Sequence, residues 1–238
     1  YMKIVVLTTE TLHHTFFVKE INKVFQLEKI FVETASVSPP FETYHAFEGE
    51  RDVYEKKVFF DGGGVSLTDV APTKYVGSIN DSETIRMLSE LRPEIIIVFG
   101  TGKIYREVIQ VCPMGIINLH GGNPEEYRGL DSHLWTIYHN DFKSLIVTLH
   151  HLNEELDDGD IILQGNIKMY SKIQLHELRR YNTEKCIELT LSAIDMYKRY
   201  GRFISRPQRK LGRYYSFMPS SLKEICLKRF IKYSNNIS

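Results

Sequence analysis

At 238 residues, with 42% apolar and 25% charged side chains, the chain suits one globular domain, alone or with a small appendage. Thirty basic residues offset thirty acidic ones, which excludes a global field drawing it to nucleic acid or an anionic membrane. No apolar run approaches the ~20 residues needed to span a bilayer, and the three cysteines, Cys112, Cys186 and Cys226, lie too far apart for a metal-ligand pattern. The start, Met2 to Leu7, lacks a signal-peptide layout. The expectation is a cytoplasmic protein with neither a nucleic-acid nor a membrane partner.

Lys3 to Leu7 reads as a buried strand. Thr11 to Phe25 follows with apolar residues at helical spacing (Leu12, Phe16, Phe17, Ile21, Val24), and Lys29 to Glu33 is a second strand. This βαβ opening suits a parallel sheet. The turn at 8–11 holds no glycine, so the dinucleotide fingerprint and the glycine-rich phosphate loop are both absent. His13 and His14 diverge on a helix and make no metal pair; His14 either packs or faces a substrate pocket. From Ser36 to Gly64 the pattern is least legible: Pro39-Pro40 breaks any element, Glu48 to Lys57 is charged with a helical tendency, and Gly62-Gly63-Gly64 is a loop. Lys74 and Tyr75 precede a short connection through Gly77.

Asp81 to Leu91 is a helix capped by Asn80 or Asp81. Glu94 to Phe99 is an uninterrupted apolar strand of the kind buried on both faces. After Gly100 to Ile104, Tyr105 to Val111 is a short helix. A further helix runs through His139, with Ser132 as its cap. Leu145 to Leu152 and Asp160 to Met169 are strands, and Leu175 to Tyr200 is a long helix. Beyond Gly201 the composition shifts. Tyr214 and Tyr215 suggest a short β segment, and Ser220 or Ser221 caps a basic helix from Leu222 to Phe230.

Two stretches stand out chemically. The apolar run Ile116-Ile117, resumed at Leu119, ends in Asn118 and His120. Residues i and i+2 of an extended chain share a face, so an amide and an imidazole stand side by side at a carboxyl end of the sheet, where open α/β folds bind ligands. Gly121 and Gly122 then turn the chain away. The second stretch, Leu156 to Gln164, places Asp157 in an acidic turn before another apolar strand. Residue types alone leave plainer readings open. Asn118 caps a turn, His120 is a satisfied structural histidine, or Asp157, Asp158 and Asp160 form a solvated turn.

Asn118-Leu119-His120, Tyr127-Arg128-Gly129 and Leu156-Asp157-Asp158-Gly159 with Ile161-Ile162, in this order and spacing, resemble the N10-formyltetrahydrofolate-dependent formyltransferases. The resemblance covers about Glu94 to Gln164. It implies a Rossmann-like, mainly parallel sheet flanked by helices over residues 1–200, with residues 201–238 as a small appendage. The aromatics Tyr214, Tyr215 and Phe217 beside a basic helix point to a homodimer through the region after Arg202. The resemblance implies Asn118, His120 and Asp157 as the catalytic trio, Asp157 because it stands two residues before Gly159. It implies that Phe99, Gly100, Thr101, Gly102, Lys103 and Ile104 line the pterin pocket of N10-formyltetrahydrofolate, with no metal. The run Arg128 to Trp135 looks closer to the nucleotide-sugar N-formyltransferases than to the tRNA or purine enzymes. That likeness implies a nucleotide-linked amino sugar as acceptor, a dTDP-4-amino-4,6-dideoxyhexose by preference, for O-antigen or other surface polysaccharide. It is held by Tyr127, Arg128, Gly129, Ser132, His133 and Trp135, with Lys74 and His14. The alternatives are formylation of methionyl-tRNA, another folate-dependent formyl transfer, or hydrolysis of formyltetrahydrofolate.

Overall fold

The computed structural model describes residues 2–36, 38–155 and 157–237; Leu156, the first residue of the acidic-turn motif, lies outside them. In chain order the elements are β1 (Ile4–Thr8), α1 (Leu12–Val24), β2 (Lys29–Glu33), α2 (Ala46–Phe60), β3 (Thr73–Val76), α3 (Ser82–Leu91), β4 (Ile95–Phe99), α4 (Arg106–Ile109) and β5 (Ile116–His120). They continue with β6 (Tyr127–Gly129), α5 (Ser132–Tyr138), β7 (Ile146–His151), β8 (Ile161–Asn166), α6 (Leu178–Tyr200), β9 (Arg213–Tyr215) and α7 (Ser220–Ser234).

Seven strands form one sheet in the order β3-β2-β1-β4-β5-β7-β8. The first five pair in parallel, while β7 and β8 join antiparallel. β1 and β4 are buried along their whole length, as their unbroken apolar sequences require of central parallel strands. One face of the sheet carries the larger core, including Ile4, Val6, Phe17, Ile97, Ile117, Leu149, Cys186 and Ile194; the other carries Val5, Leu7, Leu88, Ile96, Val98, Val108 and Ile116. The expected Rossmann-like, mainly parallel sheet flanked by helices is therefore present. All three cysteines are buried and unpaired.

Several local expectations change. β3 falls where the sequence marks no element, just before the connection through Gly77; it is a half-exposed edge strand with no apolar alternation to mark it. α2 begins at Ala46 and ends at Phe60, longer than the charged segment suggested, because Phe47 and Phe59 bury at its two ends. Ser132 does not cap α5. Asp131 holds that position at φ 50° without a side-chain cap, and its carboxylate instead accepts the Met218 N–H at 2.8 Å.

The segment after Gly201 is stitched into the same body. Arg206 exchanges both backbone hydrogen bonds with Ile161, at 2.8 and 2.9 Å. β9 pairs in parallel with β6 to make a small second sheet. Tyr215 stacks on Trp135 and Tyr127 at 5.0 and 5.5 Å, and the Trp135 Nε1–H donates to the Ser216 carbonyl at 2.8 Å. Of the tail aromatics, Tyr214 is the exposed one.

Arg206 also grips buried Glu125 with two hydrogen bonds of 2.9 and 3.0 Å. That grip and the Arg209 N–H outweigh burial and hold the Glu125 carboxyl at about 2. A carboxyl lowered on folding adds stability that is complete above its unfolded value, about 4.3, and is lost as pH falls towards the folded value. Glu125→Gln is therefore expected to flatten the stability-pH curve on the acid side of about pH 4.3, read from urea midpoints. Equal acid slopes in variant and wild type would contradict this.

Candidate active site

The parallel sheet delivers the carboxyl ends of β4 and β5 to one edge, and β7 runs back beside β5. In the β5–β7 ladder Asn118 stands opposite His150, and His120 opposite Thr148. Opposed residues of an antiparallel pair share a face with side chains ~5 Å apart, so four polar side chains, Asn118, His150, His120 and Thr148, share one face of this strand pair. The turn after β7 brings in Asp157. Its Oδ2 lies 3.4 Å from His120 Nδ1 and its Oδ1 lies 3.5 Å from His150 Nε2. Asn118, His120 and Asp157 are thus brought together, with His150 as a fourth member.

Hydrogen-bond chemistry fixes the tautomers. His120 Nε2 lies 2.7 Å from the Tyr127 carbonyl. A carbonyl only accepts, so Nε2 carries the hydrogen and Nδ1 is the nitrogen facing Asp157. His150 Nδ1 likewise donates to the His151 carbonyl at 2.7 Å. Its Nε2 therefore accepts from the Asn118 amide at 3.2 Å. This orients Asn118: one amide hydrogen is held by His150, and the side chain is partly exposed.

Burial pushes the Asp157 carboxyl up. The charge that His120 and His150 turn towards it when they are protonated, and the Gly129 N–H at 2.9 Å, outweigh it, and the carboxyl ends well below the usual carboxylate range. Asp157 stands at φ 53°, in the left-handed region that a non-glycine residue adopts at a cost of ~1–2 kcal/mol. Gly159 is dictated by packing, since a Cβ there would overlap the His151 carbonyl. Gly122 leaves room for His120: an added Cβ would lie 2.8 Å from Nε2.

The remaining expected site residues fall into three groups. The first walls the trio. Tyr127 supplies the carbonyl that holds His120. The Arg128 Nε–H donates to the Gly212 carbonyl at 2.8 Å, the Gly129 N–H meets Asp157, and buried Ser132 donates to the Gly129 carbonyl at 3.3 Å. His133 donates from Nε2 to the Ile146 carbonyl at 2.8 Å, and burial, with His120 nearby, lowers its pKa to about 4 despite that bond. Trp135 points to the tail, as described above.

The second group is the loop Phe99 to Ile104. Gly100 has φ 85°, and a Cβ there would overlap the His14 ring. The glycine is thus required by His14, which packs edge-on against Phe99 at 4.6 Å and hydrogen-bonds Thr9 at 2.9 Å. Burial, with Arg179 nearby, lowers His14 to about 3. His14 supports the loop from behind and does not join the trio. The Gly102 N–H donates to Glu33 at 2.7 Å, and Asn80 donates to the Lys103 carbonyl at 2.9 Å, so Thr101 to Lys103 are latched from below.

The third group is Lys74 alone. It lies on edge strand β3, four strand spacings or ~19 Å from β5, beside Glu83 at 3.7 Å. It is not brought to the trio.

The formyl transferase family model matches residues 2–192. The chain belongs to the formyl transferase family. It is 34% identical over 123 residues to the bifunctional polymyxin resistance protein ArnA of Wigglesworthia glossinidia brevipalpis, covering 51% of this chain and 19% of that protein. It is 29% identical over 132 residues to methionyl-tRNA formyltransferase of Borreliella burgdorferi, covering 55% of this chain and 41% of that one. The chain thus spans well under half the length of these curated relatives. Its fold matches the crystal structure of the formyltransferase PseJ from Anoxybacillus kamchatkensis, in complex with UDP-4,6-dideoxy-4-formamido-L-AltNAc and tetrahydrofolate. The TM-score is 0.55 at 18% identity, over 99% of this chain and 95% of that one.

Two features of this family member escaped the sequence reading. His150 was treated only as part of an apolar strand; a histidine inside Val147-Thr148-Leu149-His150 was the available signal. Gln208, from the tail, reaches the Asp157 turn with hydrogen bonds of 2.8 and 3.0 Å, and nothing local marks it. Among the described residues, no helix is long and apolar enough to cross a membrane, and no group of three His, Cys, Asp or Glu side chains is placed to hold a metal ion.

Proposed function

We propose that this chain transfers the formyl group of N10-formyltetrahydrofolate to the amine of a nucleotide-linked amino sugar, with a dTDP-4-amino-4,6-dideoxyhexose preferred, in the making of a surface polysaccharide such as O-antigen. The observation that carries the proposal is the convergence of Asn118, His120 and Asp157 at the carboxyl ends of the strands in a formyl transferase chain. The amine nitrogen attacks the formyl carbon with its lone pair, which forms the new N–C bond, and the π pair of the carbonyl moves to its oxygen. The free Asn118 amide hydrogen stabilises that oxygen without any change of its own charge. The Asp157–His120 pair takes the proton lost by the amine, through Nδ1 of His120 or directly on the carboxylate. The oxyanion pair then re-forms the carbonyl as the bond from carbon to N10 breaks, N10 takes the proton held by the Asp157–His120 pair, and tetrahydrofolate leaves. The latched loop Phe99 to Ile104, beside β5, offers backbone groups for the pterin.

Two observations support an amino-sugar acceptor. The described complex of PseJ pairs a formylated nucleotide sugar with tetrahydrofolate, and the two chains align along nearly their whole lengths. Four of the nine basic residues of the tail are already held by carboxylates and so are less available to a polyanion: Arg206 pairs with Glu125, Lys210 with Glu126, Lys223 with Glu48 and Lys228 with Glu224. A cavity of ≈ 650 Å³ at the start of α1, lined by Thr11, Ser66, Arg51 and Arg179 among others, has the volume to receive the nucleotide end. A homodimer through the region after Arg202 belongs to the same proposal, with exposed Tyr214 and Leu130 as its apolar contacts; a monomeric mass by light scattering would remove it.

The test is a panel of nucleotide-linked amino sugars incubated with formyl-folate and read by mass for the gain of one formyl group. At least one dTDP- or UDP-linked amino sugar is expected to react. If none reacts and tRNA binds tightly with a steep salt dependence, the acceptor is tRNA and the sugar assignment fails.

A further inference from the structure

Asp157 needs support, because its backbone is held at φ 53° and its carboxylate must meet two imidazoles at once. The support comes from the tail, beyond the residues 2–192 that the family model matches. Gln208 reaches under the turn, and its Nε2 donates to the Asp157 carbonyl at 2.8 Å and to the Gly159 carbonyl at 3.0 Å. Both partners are acceptors only, so the amide orientation is unambiguous. The opposite end of the amide, Oε1, is buried and has no partner among the described residues. An unpaired buried acceptor is destabilising, so this amide is poorly explained as a simple contributor to stability. Its two donor hydrogens are what the turn uses.

The tail also controls Gln208 itself. Two residues earlier, Arg206 is fixed to Ile161 through the backbone and to Glu125 through its guanidinium. The front of Asp157 is held from the same segment. The Gly129 N–H that meets Oδ2 belongs to β6, which β9 pairs along its length, and a Cβ on Gly129 would overlap the Tyr215 carbonyl.

We infer that Gln208 is a positioning residue for formyl transfer: it clamps the 157–159 turn so that the Asp157 carboxylate stays between His120 and His150. This rests on the reading that Asp157 acts in the transfer, and the test separates the two. Gln208→Met keeps the length and removes the donors. It is compared with Asp157→Asn and with the double variant, each checked for folding by circular dichroism. The first readout needs no acceptor: the imidazole nitrogen shifts of His120 and His150 by NMR at fixed pH. Gln208→Met is expected to move the His120 Nδ1 and His150 Nε2 signals towards their positions in Asp157→Asn. In the Asp157→Asn background it is expected to move them no further, as coupled residues require. The second readout is the rate with the best acceptor of the panel. A clamp loosened by ~1 Å predicts a fall of about 10- to 100-fold in kcat, with the KM for formyl-folate nearly unchanged.

Wild-type imidazole shifts in Gln208→Met, or equal shifts with and without the Asp157 carboxylate, would overturn the inference. So would an unchanged kcat. Should Asp157→Asn itself transfer at the wild-type rate, the reading of Asp157 fails. Should Asp157→Asn be inactive while Gln208→Met behaves as wild type, only the clamp fails. Should Gln208→Met not fold, Gln208→Asn keeps the amide but retracts it by one methylene, and the same comparison is made with it.

Discussion

Asp157→Asn is expected to lower the rate of formyl transfer by ~10²–10⁴-fold while leaving the fold intact. The substitution keeps shape and one hydrogen-bonding oxygen, so the turn can still accept the Gly129 N–H. It removes the charge that faces His120 Nδ1 and His150 Nε2, and with it one half of the pair proposed to take the amine proton. Asp158 and Asp160 supply an internal control. The Asp158 carboxylate reaches only Asn153, at 3.4 Å, and Asp160 is exposed. Their Asn variants are expected to stay near the wild-type rate. Single-turnover kinetics of the three variants read this directly. A slow Asp160→Asn beside a normal Asp157→Asn would mean that the wrong carboxylate has been assigned.

The second large effect is on stability. Glu55 on α2 is fully buried, and Arg179 on α6 meets it with two hydrogen bonds of 2.6 and 2.5 Å. Arg179→Met keeps the apolar stem of the side chain and removes the charge. Glu55 is then left buried without its partner, which costs about 3–5 kcal/mol. Chemical denaturation is expected to show that loss. The double variant Arg179→Met/Glu55→Met is expected to recover much of it, because breaking a buried pair costs more than replacing the whole pair by apolar groups. A loss under about 1 kcal/mol in the single variant would show that water reaches Glu55.

The end of β5 that carries the candidate site was legible in the sequence because its signals are local. Ile116, Ile117 and Leu119 mark the strand, and the period of two puts Asn118 and His120 on one face. β1, β2 and β4 were legible for the same reason: central strands are nearly pure apolar runs. β3 and β6 were not. Both are short edge pieces whose existence depends on a distant partner, Ile30 to Glu33 for β3 and Arg213 to Tyr215 for β6. His150 and Gln208 were illegible for a related reason. Each acts on a group far away in sequence: His150 on Asn118, 32 residues away, and Gln208 on Asp157, 51 residues away. Only the antiparallel turn-back of β7 and the return of the tail bring them there. The glycine at position 100 was legible as a loop signal, but its contact with the buried His14 ring, 86 residues away in sequence, was not.

The Asn118–His120–Asp157 cluster is proposed to move a formyl group from folate to an amine. The most direct measurement follows an isotopically labelled formyl carbon by NMR, with the protein, labelled N10-formyltetrahydrofolate and the panel of nucleotide-linked amino sugars in one tube. The expected result is a labelled formamide on an amino sugar, formed by the wild type and lost in Asp157→Asn. Label released as free formate at the same rate with and without amine would contradict the account and make the protein a hydrolase.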